Sequence, residues 1–252
     1  MPPLDRLSAL IDRFELTVSP TDVDAANLVI LHRPDDLCAW RLLLHPSGRP
    51  RHVPLRCEDV AFSADVAWGG GDNPLLAALP EAIERRVAPP DDLDLIVRLL
   101  VAERAAMRCG SASVLNRLGE VLIVRMMREA LAEGSATPGV LGGLADSRLS
   151  RAIVTIHEKP GHPWRIEDLA KIAGLSRSRF AEVFLKAVGE TPLAYLRSWR
   201  LILARQDIRR GDRIQAVARR YGYASGEALN RAIRQRFGMS PTALRQAEKR
   251  AA

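Results

Sequence analysis

The sequence predicts an α+β N-terminal domain, a short β region plus two helices, followed by an all-α domain with two helix-turn-helix units joined by a long helix. Three observations carry this. The first is an imperfect internal repeat about 49 residues apart: Ala170-Lys171-Ile172-Ala173-Gly174-Leu175-Ser176 reads again as Ala218-Arg219-Arg220-Tyr221-Gly222-Tyr223-Ala224-Ser225, with Ala224 as one extra turn residue. The second is charge. Residues 151–252 hold 21 Lys+Arg against 9 Asp+Glu, a net of +12, whereas residues 1–150 hold 16 against 21, a net of −5. The third is texture, because short apolar runs give way to helical periodicity after the Gly69-Gly70-Gly71 run.

Taken in order, Leu4, Leu7, Leu10, Ile11 and Phe14 form a helical stripe over 4–16. Leu28-Val29-Ile30-Leu31, Ala39 to Leu44 and Val60-Ala61-Phe62 read as short strands, punctuated by Asp35-Asp36 and Pro46-Ser47-Gly48. Pro74 to Glu84 reads as a short helix. Asp91-Asp92-Leu93-Asp94 is an acidic helix start that complements the N-terminal dipole, and that helix runs to about Met107. Ser111 opens another, with Val114, Leu115, Leu118, Val121, Leu122, Val124 and Met127 as its apolar face to about Ala132. The glycine-rich stretch 134–147 reads as a linker, so the division is 1–133, a linker at 134–147, and 148–252. Leu149 to Glu158 is a helix stopped by Lys159-Pro160-Gly161, and a helix from about Pro192 to Arg209 lies between the repeat copies, with Leu193, Leu196, Trp199-Arg200, Leu203 and Ile208 on its apolar side.

Each copy of the repeat is a supporting helix, a glycine turn, a serine N-cap and a second helix. Beyond the turn the copies stay in register: Phe180 matches Leu229, Phe184 matches Ile233, and Thr191-Pro192 matches Ser240-Pro241. Phe180, Val183, Phe184 and Val188 face the core in copy one, as do Leu229, Ile233 and Phe237 in copy two. The outward residues are the candidate DNA contacts: Ser176, Arg177, Ser178, Ala181 and Glu182 in copy one, and Ser225, Gly226, Glu227, Asn230, Arg231 and Arg234 in copy two. Arginine pairs bidentately with guanine, asparagine with adenine, and glutamate accepts from cytosine N4, so these residue types suit base reading at a helix start.

Residues 164–245 resemble the DNA-binding domain of AraC/XylS-type transcription regulators. The resemblance is carried by Trp164-Arg165-Ile166-Glu167-Asp168-Leu169-Ala170, Gly174-Leu175-Ser176-Arg177-Ser178-Arg179-Phe180, Thr191-Pro192-Leu193-Ala194-Tyr195-Leu196, Ala218-Arg219-Arg220-Tyr221-Gly222-Tyr223 and Arg236-Phe237-Gly238-Met239-Ser240-Pro241. It implies two helix-turn-helix units reading successive major-groove faces of a promoter. Glu182 stands where the family very often has Arg, and Gly226 where it has a larger residue. Residues 1–133 resemble, more weakly, the cupin-like effector domain of such regulators, through Asn73-Pro74-Leu75-Leu76-Ala77-Ala78-Leu79-Pro80 and the two helices after it. That resemblance implies helices that pair between subunits of a homodimer.

A cupin-type metal-binding protein or enzyme with a helical tail is the alternative. His32, His45 and His52, with Glu58 nearby, are scattered rather than clustered as a metal site needs, so no metal or cofactor is expected. No nucleophile–base arrangement or phosphate loop is present, so no catalytic residue is assigned and a non-enzymatic protein is expected. An architectural protein binding DNA without sequence preference is a third class. Cys38, Cys57 and Cys109 have no zinc-ligand spacing, and the first two could meet across strands to sense oxidants. No apolar run approaches the roughly 20 residues that span a bilayer, and Met1 to Arg6 is not a signal peptide. The expectation is a cytoplasmic activator whose partners are double-stranded promoter DNA, RNA polymerase, a second copy of the chain and an unidentified small-molecule or redox effector.

Overall fold

A computed structural model of the chain describes residues 16–33, 36–46, 48, 59–69, 73, 76, 79–132 and 139–244. These form two compact units, spanning 16–142 and 143–244 among the described residues. The 4–15 helical stripe, His52, Cys57 and Glu58 lie outside the described residues.

The first unit is a five-stranded antiparallel sheet with two helices. Its strands are β1 (Leu16–Pro20), β2 (Leu28–Arg33), β3 (Asp36–Leu44), β4 (Val60–Trp68) and β5 (Ile83–Val87), in the order β1-β4-β2-β3-β5. The three expected strands are β2, β3 and β4; β1 and β5 are additional to them. Ile83 and Glu84, expected at the end of a helix, instead pair with Leu44 and Leu43 as an edge strand. The reason is visible in the sequence Ile83-Glu84-Arg85-Arg86-Val87. Only Ile83 and Val87 are buried, and a four-residue spacing of apolar residues fits a helix as well as a strand.

Helices α1 (Asp92–Ala106) and α2 (Ser111–Ala132) follow, each within a residue or so of its expected span. Asp91 caps α1, its carboxylate accepting the Leu93 N–H at 2.8 Å. Edge strand β1 is covered by α2. A Cβ on Gly119 would stand 2.5 Å from Val18 Cγ1, so the missing side chain lets strand and helix meet. Asn116 Oδ1 accepts the Val18 N–H at 2.6 Å, satisfying a donor the sheet leaves unpaired. A second tie joins sheet to helix where the Trp40 indole donates to Asp94 at 2.8 Å and Arg98 donates to the same carboxylate. Arg98 is the chief reason the Asp94 carboxyl lies below its ordinary range. Leu115, Leu122, Ile123, Met126 and Met127 form the buried face of α2, whereas Val114 and Val121, expected on that face, are exposed.

The short helix α3 (Val140–Ala145) falls within 134–147, the stretch read as linker, with Val140, Leu141 and Leu144 buried. The second unit is helical: α4 (Ser147–Glu158), α5 (Ile166–Ala173), α6 (Arg177–Val188), α7 (Pro192–Arg209), α8 (Ile214–Arg220) and α9 (Gly226–Phe237). The spine is α7, with Leu196, Trp199, Leu203 and Ile208 buried as expected, while Leu193 is exposed. Thr191 caps it and Pro192 occupies its first turn, where a missing N–H costs nothing.

Candidate nucleic-acid interface

The first helix-turn-helix unit is α5, a three-residue turn and α6. Gly174 takes φ +68°, a left-handed conformation that glycine adopts without steric cost, and Leu175 N–H reaches back to Ala170 O at 3.0 Å to close α5. Ser176 then starts α6, its hydroxyl accepting the Arg179 N–H at 3.3 Å. Phe180 and Phe184 are fully buried with rings 5.5 Å apart, which orients the opposite face of α6 outward. On that face Ser176, Arg177, Ser178 and Glu182 are exposed and Ala181 is half-buried.

The second unit repeats this construction. Gly222 has φ +73°, Tyr223 N–H reaches Ala218 O at 2.9 Å, and the Ser225 hydroxyl accepts the Ala228 N–H at 3.2 Å. Leu229 and Ile233 are fully buried. Glu227, Arg231 and Arg234 are exposed, and Ser225 and Asn230 are half-buried. Gly226, read as outward-facing, is buried, because the side chain of Gln215 lies across it.

Charges at the start of both second helices are already engaged. Arg177 pairs with Glu167 of the supporting helix at 3.0 Å, and Arg179 pairs with Glu182 at 2.9 Å. Both pairs are solvent-exposed, so each contributes little stability and can exchange its carboxylate for a phosphate at little cost. Glu182 is thus placed to orient Arg179. In the second unit the Ser225 hydroxyl bonds to the Glu227 carboxylate and lowers its pKa, with Arg231 close enough to add to the effect. Asn230 Oδ1 is shielded from solvent and has no hydrogen-bond partner among the described residues.

The two units are locked together by the loop between α4 and α5. Arg200 of α7 donates from Nε to Pro160 O at 2.6 Å and from Nη2 to His162 O at 2.7 Å. A Cβ on Gly161 would stand 2.1 Å from Arg220 O, and one on Gly222 would stand 2.9 Å from Gly161 O. A loop that precedes the first unit therefore seats against the turn of the second. Arg220 donates to Asp207 at 2.5 Å and to Asp212 at 2.6 Å, and the Tyr221 hydroxyl donates to Asp207 at 2.6 Å. Both carboxylates raise the Arg220 pKa.

Glu167, Gln215, Arg179 and Arg200 are positioning residues outside the set that the repeat's outward faces pick out. A signal existed for the first two: counting from Ile166 and Ile214, they occupy the same place in the repeat. In the sheet-bearing unit, His32 lies edge-on to Trp40 with ring centroids 5.1 Å apart, and Cys109 is an exposed free thiol. Among the described residues no three His, Cys, Asp or Glu side chains stand close enough to hold a metal ion, and no helix is long and apolar enough to cross a membrane.

The geometry defines a double helix-turn-helix protein with a sheet-based first unit, and comparison with known proteins gives the same division. Residues 169–247 match the family profile described as a helix-turn-helix domain, and residues 17–132 match the profile described as a cupin. The HTH-type transcriptional regulator AlkR of Acinetobacter baylyi is 34% identical over 69% of this chain and 58% of its own length. A putative AraC-like transcription regulator of Streptomyces antibioticus is 36% identical over 52% of this chain and 44% of its own length. The chain thus spans about half the length of these relatives. Among solved structures, the DNA-binding domain of AdpA in complex with a target DNA is 30% identical, covering 40% of this chain and 91% of that one, with a TM-score of 0.38. The chain thus carries a helix-turn-helix domain and a cupin-like N-terminal domain, and it is similar to proteins named as HTH-type and AraC-like transcriptional regulators.

Proposed function

We propose that this chain is a sequence-specific DNA-binding transcription regulator that reads two successive major-groove segments of a promoter with α6 and α9. The observation that carries this is the twofold construction of one capped, outward-facing helix start inside the +12 half of the chain. The names of its relatives as transcriptional regulators support the reading. Arg177, Ser178 and Glu182 read one segment; Glu227, Asn230, Arg231 and Arg234 read the other, with Ser176 and Ala181 beside the first set and Ser225 and Gly226 beside the second. An adenine contact by Asn230 requires its amide to turn, since Oδ1 is shielded.

The proposed layout is 1–133 for effector binding and dimerisation, 134–147 as linker and 148–252 for DNA. Leu95, Leu99, Val114 and Val121, exposed on α1 and α2, support a homodimer built through those helices. Gating by a small-molecule or redox effector, contact with RNA polymerase, activation, a cytoplasmic location and the lack of catalysis complete the reading.

The test is a footprint of the full chain on its own upstream region. Binding should weaken steeply with salt, because each phosphate contact releases counterions. Arg231→Ala should cost about 1–3 kcal/mol on the cognate site if Arg231 grips a base bidentately. Failure to bind any such fragment at low salt would sink the proposal. Sedimentation that finds only monomers at micromolar concentration, with and without DNA, would remove the homodimer.

A further inference from the structure

Gln215 stands in the second unit where Glu167 stands in the first, and each touches the opening residue of the recognition helix that follows. In the first unit Glu167 holds the Arg177 side chain at 3.0 Å. In the second there is no side chain to hold. Gln215 Oε1 instead accepts the backbone N–H of Gly226 at 3.3 Å. A Cβ at position 226 would stand 3.0 Å from Gln215 Nε2 and 3.1 Å from Cδ, so the amide lies in the volume that a side chain on α9 would otherwise take. The N–H donor settles which end of the amide is which: oxygen toward Gly226, and both Nε2 hydrogens without an acceptor among the described residues. Gln215 is exposed, and the first turn of a recognition helix is the part that meets base edges.

We propose that Gln215 supplies the second unit's missing reading side chain, contributing from the supporting helix a neutral donor to a hydrogen-bond acceptor on duplex DNA. The inference rests on the DNA-binding reading above and deepens it by one named contact. The acceptor is a phosphate oxygen or a base-edge atom such as purine N7 or O6, which share this chemistry.

The experiment uses the full chain and a duplex that the wild-type chain selects from a random-sequence pool, together with a panel of single base-pair changes in that duplex. Gln215→Glu keeps an oxygen for the Gly226 N–H but puts an acceptor where a donor is required. It should raise Kd about fivefold or more, the loss expected for one net hydrogen bond. Gly226→Ala crowds the amide while improving helix propensity, and position 226 is outside the left-handed region. It should weaken binding without lowering the thermal midpoint. Loss of preference at one base pair of the second segment identifies a base contact; an equal loss across the panel identifies a phosphate. An unchanged Kd for Gln215→Glu overturns the proposal and leaves Gln215 as a prop for α9. If the wild-type chain selects no sequence at all, the regulator reading itself falls, and the proposal with it.

Discussion

The two helix-turn-helix units share a backbone plan and differ in what holds them. Unit one rests on aromatic packing. Phe180 and Phe184 are fully buried, Phe184 meets Tyr195 at 5.7 Å, the Tyr195 hydroxyl shares a 2.6 Å hydrogen bond with His157 Nε2, and His157 lies 4.2 Å from the Trp199 ring. Unit two has Leu229 and Ile233 in place of the phenylalanines, and its Phe237 is half-buried beneath Arg205 at 4.8 Å. Its further attachment is polar: Arg220 spans Asp207 and Asp212, Tyr221 shares Asp207, and Gly161 presses on the Arg220 carbonyl. Duplication of a motif therefore preserves caps and turns, which are local, while cohesion follows whatever neighbours each copy meets.

That contrast can be broken in several ways. The largest effect is expected from Phe184→Ala, which should cost about 3–5 kcal/mol in urea unfolding through lost burial and a cavity. A greater loss from Ile233→Ala would reverse the ranking of the two cores. Next comes pH. Burial pushes the His157 pKa down to about 3 from its ordinary 6.5, so the folded chain keeps the ring neutral where the unfolded chain protonates it. The associated stability is full above about pH 6.5 and is lost toward pH 3 at about 1.4 kcal/mol per unit. In His157→Phe that component of the slope should disappear; an unaltered profile would exonerate His157.

Asp207→Asn should cost about 2 kcal/mol, because it weakens hydrogen bonds to a half-exposed Arg220 and a buried Tyr221. Its mark should be faster amide exchange in α8 and α9 with α5 and α6 protected; uniform exchange through both units would show that they unfold as one body. The smallest effects belong to the caps. Ser176→Ala and Ser225→Ala should each cost about 1 kcal/mol, the second more, since Ser225 also holds Glu227. A larger loss at Ser176 would contradict that order.

Much of unit 143–244 was legible because its signals are short-range. A glycine at a left-handed turn, a serine three residues before the amide it caps, and apolar residues three and four apart are all written within a dozen positions. The sheet-bearing unit, 16–142 among the described residues, was less legible for the same physical reason. Strand β5 carries three charged residues between Ile83 and Val87, and only its pairing with β3 makes them a strand. Val114 and Val121 fit the helical stripe of α2 perfectly well, but periodicity identifies an apolar face without saying whether anything covers it.

At the interface, Arg177, Glu182, Glu227, Arg231 and Arg234 were named from the outward side of each helix, and all are exposed. Gly226 could not be placed that way. Its burial depends on Gln215, eleven residues away and on another helix. By itself the sequence determined that two like units exist, where their helices begin and end, and which half of the chain carries the positive charge. The tertiary structure decided what each unit leans on, which arginines are already paired, that the 159–163 loop seats on the second turn, and that Gln215 fills the gap at Gly226. Caps and turns are set by neighbours in sequence; packing and pairing are set by neighbours in space, and those are fixed only once the chain has closed on itself.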